Sequence, residues 1–521
     1  MPERTHKHNL SRRSFLQMGA ASAGVFLVDA SRPAPLRAAT PKRGGTFTLA
    51  YTVGLTEFNP VNLVTGHYAF QRALFNTLAH YDANLDLQPE LAEKWEFSAD
   101  GKALTLKLRE GVKYHSGREF TSADVKASWE FDSTDEKTTM RSLFRSIKQV
   151  DTPEKYVAVL RFDSINPGVF DALDTMYIID KEIIADRAKT GGGTGPFRLD
   201  KYLPNDRVEM VPFKDYWDKG KPYLDRYIIR TIPDLSALAV NLETRAVDCI
   251  WQPSNIDLVR LRDAGGKFVA DLGAPGASMY NLAINVKREP FTNKKVRQAM
   301  AWCIDRARFC RTTLQGLVEP TCLMWPKHSW AHFPDLEGKI GFDVSKAQSL
   351  LKEAGLGSGF DTEIVVSSRR YPGSSDLAQI IQADAKKIGV NIKVVDIEPA
   401  RYDAQVVVKG DHTMTIIAYG RLNRDPGTLV TAAKAFYTAK EGTWTHFESA
   451  EYDQLRKELQ STLDREKRKA TARKIQELAL DECFTNSVAP QQRAWAYASF
   501  VKGFTYDMDN APFMAEVWLD K

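Results

Sequence analysis

An α/β fold with a helix-covered parallel sheet is predicted, and three observations predict it. The order strand Ile364–Val366, helix Asp376–Ile388, strand Ile392–Asp396 forms a crossover unit, which requires parallel strands with a helix on one face. Segments of period two and segments of helical period alternate along the chain from about residue 40. The length of 521 residues exceeds what one compact core holds and predicts two or three domains. Hydrophobic residues at 43% and charged residues at 26% are ordinary for a globular chain, and ten Trp, 18 Tyr and 26 Phe supply too much buriable area for disorder. No run approaches eighteen uninterrupted apolar residues, so no spanning helix is predicted.

Taken in order, the first segment reads as an address rather than a structural element. Ser11-Arg12-Arg13-Ser14-Phe15-Leu16-Gln17 precedes a weakly apolar stretch, Met18 to Val28, and a small-residue zone ending Leu36-Arg37-Ala38-Ala39. A basic start, a short apolar region and an Ala-rich cleavage zone are the parts of an export signal, and the paired arginines make it resemble a twin-arginine signal. Residues 1–39 are therefore expected to be removed, which leaves a soluble periplasmic protein. No Cys occurs before Cys249, so no lipid anchor is expected at the cleavage site. Residues 1–38 carry six basic and two acidic groups, so four of the five excess positive charges sit in that segment. What remains is nearly neutral and carries no nucleic-acid footprint.

In the mature part, Gly45–Tyr51 and Ala103–Arg109 alternate as strands, the second after the Asp100-Gly101 turn signal. Thr121 with Asp124 three residues on is a capping-box variant that opens a helix through Val125 and Trp129. Val208–Val211, Tyr227–Thr231 and Glu363–Val366 read as strands; Lys294–Thr313, Ser345–Ala354 and Tyr452–Leu480 read as helices. Five Cys in an oxidising compartment permit two disulfides at most. Cys303 and Cys310 are seven apart in a helical pattern, too far for a direct bridge, whereas Cys322 could reach either.

No catalytic constellation is present: there is no GxSxG elbow, HExxH helix or GxxxxGK[ST] loop. Gly191-Gly192-Gly193 is followed by Thr-Gly-Pro without a phosphate-gripping Lys, and a hinge or turn is the better account. His328 and His332 have i,i+4 spacing, but Pro326 and Pro334 bracket them and disfavour a regular helix. No metal, cofactor or enzymatic activity is predicted.

Separated segments then read together. Leu91-Ala92-Glu93-Lys94-Trp95-Glu96-Phe97 runs through Asp100-Gly101-Lys102 to Leu108-Arg109-Glu110-Gly111-Val112 and Tyr114-His115-Ser116-Gly117. Gly193-Thr194-Gly195-Pro196-Phe197, Tyr216-Trp217-Asp218-Lys219-Gly220-Lys221-Pro222-Tyr223-Leu224-Asp225, Glu289-Pro290-Phe291 and Val296-Arg297-Gln298-Ala299 follow in order. Jointly these resemble the signature of bacterial extracellular solute-binding proteins of family 5, the peptide, opine and nickel receptors of ABC importers. The resemblance covers residues 43–521. It implies a two-lobed periplasmic-binding-protein fold (type II) with an extra inserted domain, closing on a ligand by hinge motion. By analogy, domain I is 40–85 with 195–280 and 495–521, domain II is 86–194, and domain III is 281–494. Its partners would be a small-molecule or peptide ligand and an inner-membrane permease with ATPase subunits, and a monomer is expected. A metal-complex receptor of the same family, or a twin-arginine-exported cofactor enzyme, are the alternatives.

The resemblance also locates a candidate cleft. Its first region is Tyr51–Thr56 with Thr65-Gly66-His67, giving Thr52, Gly66 and His67; its second is Tyr280 and Asn281, with Trp251 as a nearby wall. The third is Tyr419-Gly420-Arg421-Leu422-Asn423-Arg424-Asp425-Pro426 after the strand Met414–Ala418. Peptide-binding relatives carry there an Asp that takes the α-ammonium; aligned on Asp425-Pro426, this chain has Leu422, flanked by Arg421, Asn423 and Arg424. Arg369, Arg370 and Tyr371 end the strand 363–366, where relatives carry a carboxylate-binding Arg. Four arginines on loops at strand ends predict an anion, a carboxylate or phosphate held bidentately, unless they pair with Asp376 and Asp425.

Overall fold

The computed structural model describes residues 40–60, 68–82, 84–136, 138, 141–186, 189, 191–274, 278–420, 424–433, 435, 436 and 444–521. The export segment, including Arg12 and Arg13, lies outside them, and no described helix is long and apolar enough to cross a membrane.

Three sheets carry the fold. The first has seven strands in the order Phe268–Asp271, Trp495–Ala498, Cys249–Trp251, Thr46–Tyr51, Arg226–Thr231, Arg207–Pro212 and Phe197–Leu203. Thr46–Tyr51 runs parallel to both of its neighbours, and every residue from Phe47 to Tyr51 except Thr48 is buried, as a strand covered on both faces requires. The second sheet has five strands, in the order Val390–Asp396, Phe360–Val366, Met414–Gly420, Ser278–Ile284 and Thr485–Pro490. Phe360–Val366 pairs in parallel with Val390–Asp396, and the helix Ser374–Ala385 closes the crossover. The third is an antiparallel four-stranded sheet, Ala92–Phe97, Ala103–Leu108, Val157–Arg161 and Gln149–Glu154.

Local chemistry accounts for the element ends. Thr121 caps Ser122–Thr134 with a reciprocal capping box through Asp124, as its spacing predicts. The helix expected over 294–313 is instead two, Lys294–Trp302 and Arg306–Thr312, because the Asp305 carboxylate accepts the Arg308 N–H at 2.8 Å and restarts the chain there. The helix expected over 452–480 is likewise divided into Ala450–Gln460 and Arg465–Glu482; Asp464 accepts the Glu466 and Lys467 N–H groups at 3.0 and 3.2 Å.

All five cysteines are free and buried, so Cys322, which on sequence could reach either Cys303 or Cys310, bridges to neither. The reason is the sheet between them. Along Ser278–Ile284, Met279 and Ala283 face the core that holds Cys322, whereas Tyr280, Leu282 and Ile284 face the core that holds Cys303 and Cys310.

The Gly-rich joint is a packing device. A Cβ on Gly193 would lie 2.2 Å from the Leu74 carbonyl oxygen, and one on Gly195 2.4 Å from that of Ala73. His115 Nε2 contacts the Gly195 carbonyl at 3.0 Å, and the Gly193 N–H donates to its Nδ1 at 3.4 Å. Burial holds the imidazole pKa down at about 4, so it is neutral and structural.

Candidate ligand cleft between the two large sheets

Strand direction fixes where a ligand site can form. In the five-stranded sheet, Phe360–Val366, Val390–Asp396 and Met414–Gly420 end on one edge, and Thr485–Pro490 ends there too, since it and Met414–Gly420 both run antiparallel to Ser278–Ile284. In the seven-stranded sheet, Thr46–Tyr51, Arg226–Thr231 and Cys249–Trp251 end on a common edge. Carboxyl edges of α/β sheets are where loops gather polar groups around ligands. The chain passes between these two edges twice, once between the strands that end at Asp271 and begin at Ser278 and once at 491–494, and a cavity of about 1140 Å³ lies where they face each other. That volume suffices for a solute larger than a single amino acid.

Of the residues anticipated from sequence, Thr52, Trp251, Tyr280, Arg369, Arg370 and Tyr371 line this cavity. Gly66, His67, Arg421 and Asn423 lie outside the described residues. Tyr280 donates its hydroxyl to the Pro372 carbonyl at 2.5 Å, which ties the strand to the loop that carries the two arginines. Trp251 packs against Trp495 with ring centroids 4.2 Å apart, and Tyr51 and Tyr68 lie 6.0 and 6.2 Å from it. Arg369 pairs with Glu398 at 3.0 Å and Arg370 with Asp403 at 2.9 Å; neither pairs with Asp376, the acid expected to compete for them.

Four anticipated residues are elsewhere. Asn281 is buried and accepts from the Thr485 hydroxyl at 2.6 Å. Tyr419 is buried and donates to the Met324 carbonyl at 3.1 Å, while Gly420 closes the strand opposite Ser278. Arg424 is not a cleft arginine: it is 3% exposed, ion-paired with Asp174 and, at 2.8 Å, with Asp509. Its neighbour Asp425 caps the helix Pro426–Ala432 and is held bidentately by Arg468 at 2.8 and 2.5 Å. Arg72 extends the buried cluster, bridging Glu90, Asp174 and Asp507 at 2.8–2.9 Å. Burial, then the charge of Asp425, push the Asp171 pKa up to about 7, so this carboxyl is partly protonated at neutral pH.

Two cleft arginines were not anticipated. Arg308 lines the cavity and pairs with Asp384 at 2.5 Å. Arg493 sits on the second crossing segment and donates to the Tyr68 hydroxyl at 3.0 Å. A chain that leaves one sheet for another and comes back must cross twice, and that requirement is the signal pointing to 491–494. Among the described residues no group of three or more His, Cys, Asp or Glu side chains is placed to hold a metal ion.

Two α/β lobes whose carboxyl edges face one cleft, joined by two crossing segments, define the two-lobed periplasmic-binding-protein fold. The chain belongs to the bacterial extracellular solute-binding proteins, family 5, whose middle-region signature matches residues 86–438. Over 539 aligned residues it is 27% identical to the dipeptide-binding protein of Escherichia coli (strain K12), covering 95% of this chain and 97% of that one. Among solved structures it resembles a dipeptide-binding protein from Pseudoalteromonas sp. SM9913 in complex with Met-Leu (TM-score 0.77, 22% identity, 91% of this chain and 100% of that one). It also resembles NikZ from Campylobacter jejuni in complex with Ni(L-His) (TM-score 0.74, 22% identity, 91% and 99%). These two likenesses show the fold. As a member of the family the chain is a periplasmic transport receptor rather than an enzyme, and works with an inner-membrane ABC permease and its ATPase.

Proposed function

We propose that this receptor captures a small anionic solute, an acidic peptide, an opine-like acid or a sugar phosphate, and delivers it to its permease by lobe closure. The observation that carries this reading is the set of arginines on the cleft: Arg308, Arg369, Arg370 and Arg493 line it, the first three paired with Asp384, Glu398 and Asp403 and Arg493 with no carboxylate at ion-pair distance among the described residues, while Asp376 is the one carboxylate among the cleft's described lining residues. Guanidinium groups match the planar, bidentate geometry of carboxylates and phosphates. The ligand groups are then Thr52, Trp251, Tyr280, Arg369, Arg370 and Tyr371; Gly66, His67, Arg421 and Asn423, outside the described residues, are proposed with them on the sequence alone.

On the same reading, the moving bodies are 281–494 on one side and 40–85, 195–280 and 495–521 on the other. The insert 86–194 rides on the latter. The protein is exported through the twin-arginine signal and acts as an unanchored monomer. A neutral-peptide specificity is the second reading, favoured by the dipeptide-binding relative that aligns over 95% of the chain.

Thermal stability of the mature protein, refolded free of ligand, separates the readings. The panel is Ala-Glu, Ala-Leu, N-(1-carboxyethyl)glutamine, glucose 6-phosphate and the nickel–histidine complex. A ligand at one hundred times its Kd adds roughly 2.7 kcal/mol. Stabilisation by one or more of the acids is expected. Stabilisation by Ala-Leu equal to or above every acid, or by the nickel complex alone, would overturn it.

A further inference from the structure

We propose that Arg493 receives the anionic head of the ligand at the floor of the cleft, with Trp251 and Tyr68 flanking the ligand's body and the Gln492 amide contacting it. This inference rests on the anionic-solute reading above and assigns that reading its principal residue.

Position comes first. Gln491–Ala494 is the crossing between the last strand of the five-stranded sheet and Trp495–Ala498 of the seven-stranded sheet, so its side chains meet the cleft at its base. Charge separates Arg493 from the other three arginines of the cavity. Arg308, Arg369 and Arg370 have carboxylate partners at 2.5, 3.0 and 2.9 Å in Asp384, Glu398 and Asp403. Arg493 has no carboxylate at ion-pair distance among the described residues. Its contacts are the Tyr68 hydroxyl, 3.0 Å from one terminal nitrogen, and the Tyr68 ring, whose centroid is 5.7 Å from the guanidinium carbon. A guanidinium carries five N–H donors in a fixed fork. One of them is used by tyrosine, which orients the group and leaves a bidentate face unspent.

The surroundings are those of a site waiting for polar partners. Both amide atoms of Gln492 and the indole Nε1 of Trp251 are buried and lack a hydrogen-bond partner, and both residues line the same cavity as Arg493. Buried polar atoms in folded proteins are nearly always partnered, so three orphans beside an unneutralised cation mark where a ligand supplies the missing bonds. Burial also holds the Arg493 pKa below its ordinary value, an effect only partly offset by Asp509. The half-buried cation is therefore unfavourable for the empty protein, the condition expected of a binding group.

The test measures affinities of wild type, Arg493→Gln and Arg493→Met for Ala-Glu, Ala-Gln, N-(1-carboxyethyl)glutamine, glucose 6-phosphate and glucose. Hydrogen bonds to charged groups predict a loss of roughly ten- to hundredfold for each acid that wild type binds, with neutral analogues changed by less than about threefold. Acid affinity unchanged in Arg493→Gln overturns the assignment while the anionic-solute reading survives. Wild type that binds none of the acids overturns both. Unliganded melting temperature is the independent check: Arg493→Met should melt at or above wild type, because it removes a half-buried cation without a carboxylate partner. A clear drop in both variants would make Arg493 a structural residue and sink the proposal.

Discussion

Replacing Arg424 by Met tests whether depth or sequence position decides an arginine's role. Its guanidinium is 3% exposed and lies between Asp174 and Asp509, which are 1% and 5% exposed. Methionine keeps most of the side-chain volume but leaves two buried carboxylates without this partner. Removing one member of a buried ion pair costs about 3–5 kcal/mol, chiefly through the charge left behind. Arg424→Met should therefore lose stability on that scale, read by equilibrium urea unfolding at pH 7. Lysine rescues little, because one ammonium cannot span both carboxylates as the planar fork does. Since Arg424 joins the segment after one large sheet to acids from two other parts of the chain, affinity for every ligand should fall together. The ratio of Ala-Glu to Ala-Gln affinity should stay that of wild type. A variant as stable as wild type, or one that loses affinity for acids alone, would refute the reasoning.

Asp171, 1% exposed and with its pKa raised to about 7, holds a proton in the folded state that the unfolded chain loses near pH 4, so its contribution makes stability fall as pH rises from about 4 to 7. Asp171→Asn should flatten that slope and gain up to roughly 4 kcal/mol over wild type at pH 8; urea unfolding at pH 5 and 8 that shows no relative gain contradicts it. Gly195→Ala places a Cβ 2.4 Å from the Ala73 carbonyl oxygen and should cost about 1–3 kcal/mol or more in the same assay, whereas an unchanged midpoint would mean the joint is loosely packed. Iodoacetamide added in denaturant without reductant should label five thiols by intact mass; three would reveal a disulfide.

The fold class was legible because it rests on local signals. The crossover through Ser374–Ala385 and the alternating strand Thr46–Tyr51 each carry their pattern within a dozen residues. Helix breaks at Asp305 and Asp464 were missed, since the apolar spacing continues through both while the side-chain cap, a matter of geometry, ends the helix. The arginines show the larger limit. Sequence places Arg369, Arg370 and Arg424 alike, on loops after strands, but their partners differ. Glu398 and Asp403 come from nearby chain, and Asp174 and Asp509 from 250 and 85 residues away. Only tertiary structure brings those acids to Arg424. Arg493 was overlooked for a related reason: nothing in Gln491-Gln492-Arg493 is a motif, and its significance comes from where the crossing runs.

The central claim is that the cleft selects negative charge, and the most direct measurement is calorimetric titration of ligand-free wild type with Ala-Glu and its isostere Ala-Gln at one ionic strength. The two differ only in a carboxylate and an amide, so shape and hydrophobic burial cancel. The account predicts that Ala-Glu binds at least tenfold more tightly and that the difference shrinks in Arg493→Gln. Equal affinities, or a preference for Ala-Gln, would contradict it.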